Sequence, residues 1–198
     1  MTLRKLVIAT SNIGKYKEFE YIISVYGKNF AEEIIFAPEI ADLIVEETGK
    51  TYAENAMLKA RAWSEKSGLP CLADDSGLEV EALDGAPGLF SARIAAGSNK
   101  ISWLLNELKD KENRRARFSA SLALCVPDDY ILICEGFCNG EIGREPKGSN
   151  GFGYDPVFIP DGFEKTFAEL SKEIKNSISH RTNAFKKIIN FCDKQNIL

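Results

Sequence analysis

The chain opens on a short, largely apolar run, Leu3 to Ala9, that breaks at Thr10-Ser11-Asn12. Beyond the break Tyr16, Phe19, Ile22, Ile23 and Tyr26 recur at helical spacing, so the opening predicts a buried strand, a turn and a helix. A second helix is predicted from Thr51: Thr51 and Glu54 have capping-box spacing, ENAMLKARAWSEKSG is rich in helix formers, and Gly68-Leu69-Pro70 ends it. Cys71 to Ala73 predicts a short strand stopping at Asp74-Asp75-Ser76-Gly77. Leu78, Val80 and Ala82 then alternate with charged residues, as along a half-exposed strand. DGAPGLFSAR reads as a loop and Ile101 to Lys109 as a helix. SASLALCV and YILICEGFCNG pair as a hairpin across Pro127-Asp128-Asp129. GREPKGSNGFGYDPVFIP is the longest glycine-bearing loop, and Phe185, Ile188, Ile189 and Cys192 mark the apolar stripe of a last helix. Strand–helix units accompanied by antiparallel strands, with no repeat and no separating linker, predict one mixed α/β domain.

Composition narrows the function classes. With 198 residues, 44 % of them hydrophobic, the chain can bury a real core. A net charge of -4 argues against a nucleic-acid backbone as main partner, while a small anion held by a few cations remains compatible. No window has the apolar length of a membrane span, and Met1 to Ala9 carries only a short apolar run without a signal-like cleavage region, so a cytoplasmic protein is expected. Three of the five cysteines lie in apolar segments, as buried free thiols do; Cys134 and Cys138 have no companion pair or histidine that would make them a metal site.

Candidate chemistry gathers at the strand ends. TSNIGK fails as a Walker-type loop, because Ala9 stands where a glycine is needed and Tyr16 where Ser or Thr is needed. Its hydroxyls, amide and helix-start N–H groups could still converge on an anion with Lys15, although a plain Asn12 helix cap beside a solvated Lys15 accounts for the stretch slightly better. The neighbouring carboxylates of Asp74 and Asp75 repel in a desolvated site unless a cation offsets them, which makes Mg²⁺ a natural candidate; a simple turn is the alternative. Glu46-Glu47 is a second acidic pair, and Lys59 lies on one helix face with Asn55. In GFGYDP, Gly151 and Gly153 permit close backbone approach, Phe152 and Tyr154 offer rings for stacking a base, and Asp155 an acceptor; packing of both rings in the core is the competing account. His180, the only histidine, begins the last helix, where capping or a surface position would be ordinary. One histidine and no nucleophile elbow disfavour serine-hydrolase chemistry.

Taken in order, TSNIGK, EETGKTYAENAMLKA, ADDSGLEVEALDGAPGLFSAR, GFGYDPVF and ISHR make the chain resemble the inosine triphosphate pyrophosphatase family, in particular its bacterial branch, over nearly the whole length. The resemblance implies an elongated mixed α/β sheet flanked by helices, one domain of two lobes enclosing a central nucleotide-binding cleft. It implies hydrolysis of ITP, dITP or XTP to the monophosphate and pyrophosphate, with Mg²⁺, in a homodimer. On this chain the triphosphate loop falls on Thr10, Ser11, Asn12, Ile13, Gly14 and Lys15, the helix lysine on Lys59, and the acidic centre on Asp74 and Asp75. Asp75 matches the general base, Ser76 a substrate contact and Glu47 a metal-site acid, with Glu46 close enough to compete. Nucleotide-binding positions fall on Phe152, Gly153, Tyr154, Asp155, Lys175, His180 and Arg181, the last two reading the purine 6-oxo group. The family commonly has Thr-Gly-Gly before this aromatic loop; here Ser149-Asn150-Gly151 stands there, with Asn150 expected to tolerate a positive φ. A pyrophosphatase for other nucleotides and a triphosphate-sensing module without hydrolysis are the rival expectations.

Overall fold

A computed structural model describes residues 2–94 and 99–195. Among them the order is β1 (Leu3–Ile8), α1 (Ile13–Tyr26), β2 (Ala31–Phe36), α2 (Tyr52–Ser67), β3 (Cys71–Val80), α3 (Lys100–Glu107), β4 (Arg115–Cys125), β5 (Ile131–Ile142), β6 (Phe158–Pro160), α4 (Lys172–Ile178) and α5 (His180–Gln195). The strands form one six-stranded sheet ordered β2-β1-β3-β4-β5-β6, parallel where β1 meets β2 and β3 and antiparallel where β5 meets β6. The α/β class read from the sequence is therefore the class observed. Among the described residues no helix is long and apolar enough to cross a membrane.

The chain divides into two compact units, one made of residues 1–75, 120–136 and 181–198, the other of 76–119 and 137–180. In the first, strand alternation sends Leu6, Ile8, Leu72, Leu122 and Leu124 into a core with Phe19 and Ile22 of α1 and Phe185 and Ile188 of α5. The intervening Val7, Ala9, Cys71, Ala73, Ala123 and Cys125 meet Ala56, Ala60 and Trp63 of α2. Covered on both faces, these strands read as nearly continuous apolar runs. The second unit has its own core, in which Leu78, Val80, Phe118, Ile142 and Phe158 pack with Leu104, Tyr154 and Phe167.

The helix ends follow local chemistry. The Thr51–Glu54 capping box is formed, and α2 stops at Gly68, whose φ of 67° lies in the region that glycine reaches without a Cβ penalty. Asp74-Asp75-Ser76-Gly77, expected to end a strand, instead runs through the middle of the ten-residue β3. Leu78 and Val80 are buried with the more exposed Glu79 between them, the alternation expected of a half-exposed strand, but Ala82 lies beyond the strand in a short 3₁₀ turn, Glu81–Leu83. β2, β6 and α4 are elements that the apolar pattern did not predict.

Candidate active site

Parallel register brings the first two motifs together. Ile8 pairs with Leu72, so Thr10, just past the end of β1, and Asp74, inside the longer β3, lie level with one another at the carboxyl edge of β1. That edge is where open α/β sheets place ligands. Just beyond it, Asn12 caps α1: its Oδ1 accepts from the N–H groups of Gly14 (2.8 Å) and Lys15 (3.2 Å), and Thr10 Oγ1 accepts from the N–H of Asn12 (3.1 Å). Ser11, Asn12 and Ile13 are exposed at this turn, with Gly14 half-buried. The cap is thus real, but Lys15 is not solvated. Its side chain is largely buried and its Nζ lies 2.8 Å from Asp74 Oδ2. Burial lowers the Lys15 pKa, and Asp74 only partly opposes this.

Asp74 and Asp75 point to different partners, as successive strand residues must. Asp74 Oδ2 also accepts from Arg181 Nε at 3.1 Å, and Arg181 in turn donates from an Nη to Glu18 Oε2 at 2.8 Å. Burial alone would raise the Asp74 pKa, but Arg181 and Lys15 outweigh it and hold the carboxyl well below the usual carboxylate range. Asp75 faces α2, where Lys59 Nζ donates to its Oδ1 (3.1 Å) and Asn55 Nδ2 to its Oδ2 (3.2 Å). There burial wins and Asp75 titrates above an ordinary aspartate, although Lys59 pulls the other way.

Lys59 is the hub. Its three N–H donors are spent on Glu47 Oε1 (2.7 Å), the Asp74 carbonyl (2.8 Å) and Asp75 Oδ1. Burial would lower its pKa, yet Asp75 and Glu47 raise it above the usual lysine value. The extended segment before α2 selects between the two glutamates by alternation: Leu43, Val45 and Glu47 turn inward while Ile44 and Glu46 are exposed. The segment is tied down by Asn55, whose Oδ1 accepts from the Gly49 N–H at 2.8 Å, and a methyl on Gly49 would collide with that oxygen.

Two carboxylates converging on one ammonium form a hard-oxygen donor set of the kind Mg²⁺ uses, since that ion commonly takes one or two protein carboxylates and completes its shell with water and phosphate. Among the described residues no cluster of three His, Cys, Asp or Glu side chains forms a fuller cage. The cysteines offer no soft alternative: all five are free, and burial pushes the Cys71 and Cys138 thiols up to about 12.

In the second unit the glycine-bearing loop builds a separate group. Asp155 Oδ2 accepts from the Phe152 N–H (2.8 Å) and from Lys175 Nζ (2.6 Å), and Lys175 Nζ sits 5.1 Å from the centre of the Phe152 ring. Gly151, at φ 74°, passes so close to Asp155 Oδ2 that no Cβ fits. Asn150 does not take the positive φ expected of it; the left-handed residue is Gly151, and Asn150 instead donates from its amide to the Leu170 carbonyl at 3.4 Å. Gly153 also has a positive φ, and Ser76 is half-buried on β3. Tyr154 is buried with its hydroxyl 3.4 Å from the Ser91 carbonyl, so of the two aromatic residues only Phe152 is partly exposed. His180 begins α5 but is only 3 % exposed, which excludes a surface role.

Glu18, which accepts from Arg181, and Phe118, which stacks on His180, are contacts that the motifs did not supply. Glu18 could have been suspected: with Lys15 and Ile22 it follows one helical stripe, an odd place for a charge beside the buried Phe19.

Residues 6–191 match the model of the Ham1 family. A dITP/XTP pyrophosphatase of Aquifex aeolicus is 45 % identical over 96 % of this chain and 98 % of its own length. The Staphylococcus aureus Ham1 protein superposes with a TM-score of 0.83 at 40 % identity, covering 97 % of this chain and 100 % of that one. A Mycobacterium abscessus structure described as a nucleoside-triphosphatase / dITP/XTP pyrophosphatase gives a TM-score of 0.70 at 38 % identity, covering 93 % and 97 %.

Proposed function

The chain belongs to the Ham1 family, and from that premise we propose that it hydrolyses non-standard purine nucleoside triphosphates (dITP, XTP and ITP) to the monophosphate and pyrophosphate. It does so with Mg²⁺, as a homodimer, and clears deaminated purines from the cytoplasmic nucleotide pool. The observation that carries the reading is the convergence of Lys59 on Glu47 and Asp75 next to the Lys15–Asp74–Arg181 cluster. Such a site joins a carboxylate of raised pKa to fixed positive charge, as attack of water on a phosphate anhydride demands.

Asp75 takes a proton from the attacking water as it approaches the α-phosphorus, and pyrophosphate leaves. Lys15 and the Thr10–Gly14 turn bind the phosphates, while Lys59 holds the two carboxylates in register and adds positive charge as negative charge moves onto the leaving group. Glu47 and Asp75 would hold Mg²⁺, which when bound neutralises phosphate charge. Phe152 stacks on the purine, supported by the Asp155–Lys175 pair, and His180 with Arg181 reads the 6-oxo group. A 6-amino base leaves the donors of such a site unmatched, so ATP and dATP are rejected.

The test is product analysis with dITP, XTP, ITP, dATP, GTP and dTTP, each with Mg²⁺ and again with excess chelator. Monophosphate and pyrophosphate should form from the first three, and only with the metal. Equal cleavage of dATP or dTTP would overturn the base specificity, and binding of dITP without any product would favour a sensing module.

A further inference from the structure

We propose that Phe118 is a specificity-determining positioning residue, which holds the His180 imidazole in the plane needed to read the purine; this rests on the assignment of His180 to base recognition. The two rings stack with centroids 4.8 Å apart and planes within 11°. His180 is fixed in the backbone as the first residue of α5, but the torsion that turns an imidazole about its Cβ–Cγ bond is broad and weakly quantised. A flat surface against its face therefore helps to set the plane of the ring, and Phe118 is such a surface.

Phe118 is itself unable to follow a swinging imidazole. Its ring meets Phe158 at 4.6 Å and 59°, and Phe167 at 5.9 Å and 11°, inside the core of the second unit. The same aromatic group reaches the stacking residue: Lys175 Nζ lies 5.7 Å from the Phe167 centroid and 5.1 Å from that of Phe152. One cluster thus supports both groups assigned to the base. Orientation matters because a hydrogen bond weakens steeply once its angle falls below about 120°. An imidazole free to rotate still occupies the pocket, but it no longer distinguishes a 6-oxo acceptor sharply from a 6-amino donor.

The experiment compares kcat/KM for dITP and dATP in wild type, Phe118→Leu, Phe118→Tyr and His180→Ala. Phe118→Leu keeps an apolar side chain without a flat face and should lower the dITP-to-dATP ratio about 3- to 10-fold, the range of an aromatic pair's contribution, through a higher KM for dITP. Phe118→Tyr retains the ring and should retain the ratio. A role confined to core packing predicts instead that Phe118→Leu loses thermal stability and slows both substrates equally; an unchanged ratio overturns the proposal. His180→Ala separates the two layers. If it collapses the ratio while Phe118→Leu does not, only the role of Phe118 fails; if it too leaves the ratio unchanged, His180 does not read the base and both fail. Should Phe118→Leu not fold, Phe118→Met takes its place. As His180 is the only histidine, its ring-proton resonance provides an independent reading: an upfield ring-current shift in wild type that disappears without the aromatic ring, its absence in wild type counting against the stack.

Discussion

Asp75→Asn is expected to cut turnover of dITP by at least about 10²–10⁴-fold, the usual contribution of a positioned general base, and by more if metal binding is lost as well. The two neighbouring aspartates differ in what surrounds them. Asp74 is clamped by Lys15 and Arg181 as a permanent carboxylate. Asp75 has burial pushing its pKa upward against Lys59, which brings it nearer to a useful proton acceptor. Asparagine keeps the shape of the side chain and an oxygen for Lys59, so circular dichroism and the thermal midpoint should change little while the rate at saturating dITP collapses. A folded variant with near-normal turnover would remove Asp75 from the chemistry.

Arg181→Met is expected to destabilise the protein by about 3–5 kcal/mol, because removing one member of a buried ionic group leaves its partners desolvated and uncompensated. Glu18 and Asp74 are both buried, at 7 % and 2 % exposure, and the guanidinium joins them. Urea unfolding at neutral pH measures the loss. The pH dependence has a definite sign. A carboxylate whose folded pKa is depressed contributes stability that is present above its unfolded pKa, about 3.9, and is lost as pH falls through the folded one. The gap between wild type and Arg181→Met should therefore begin to narrow below about pH 4. A loss under about 1 kcal/mol at neutral pH would give this buried group no more weight than an exposed surface pair.

The elements legible in the sequence are those whose signals are local. β1 and α1 announce themselves by a change of apolar period, and α2 by a capping box at one end and Gly68 at the other. β2 hides because Glu32 and Glu33 interrupt its pattern, and its pairing with β1 rather than its own periodicity defines it. β6 has three residues inside a glycine-bearing loop, and α4 is a seven-residue helix. The strand through Asp74-Asp75-Ser76-Gly77 reverses a turn signal because the carboxylates are compensated by Lys15, Lys59 and Arg181, residues far away in sequence.

The same distinction runs through the site. The order of the motifs shows which residues to examine. It does not show that Glu47 rather than Glu46 meets Lys59, that Asp74 and Asp75 divide their partners, or that Tyr154 is buried while Phe152 is only partly so. Each of those depends on register, strand alternation or packing between segments distant in the chain.

The most direct test of the central claim is to hydrolyse dITP in water labelled with heavy oxygen and locate the label by mass spectrometry. Attack at the α-phosphorus puts the label in deoxyinosine monophosphate and leaves the released pyrophosphate unlabelled, which is the expected result. Label in the pyrophosphate, or release of deoxyinosine diphosphate with inorganic phosphate, would contradict it.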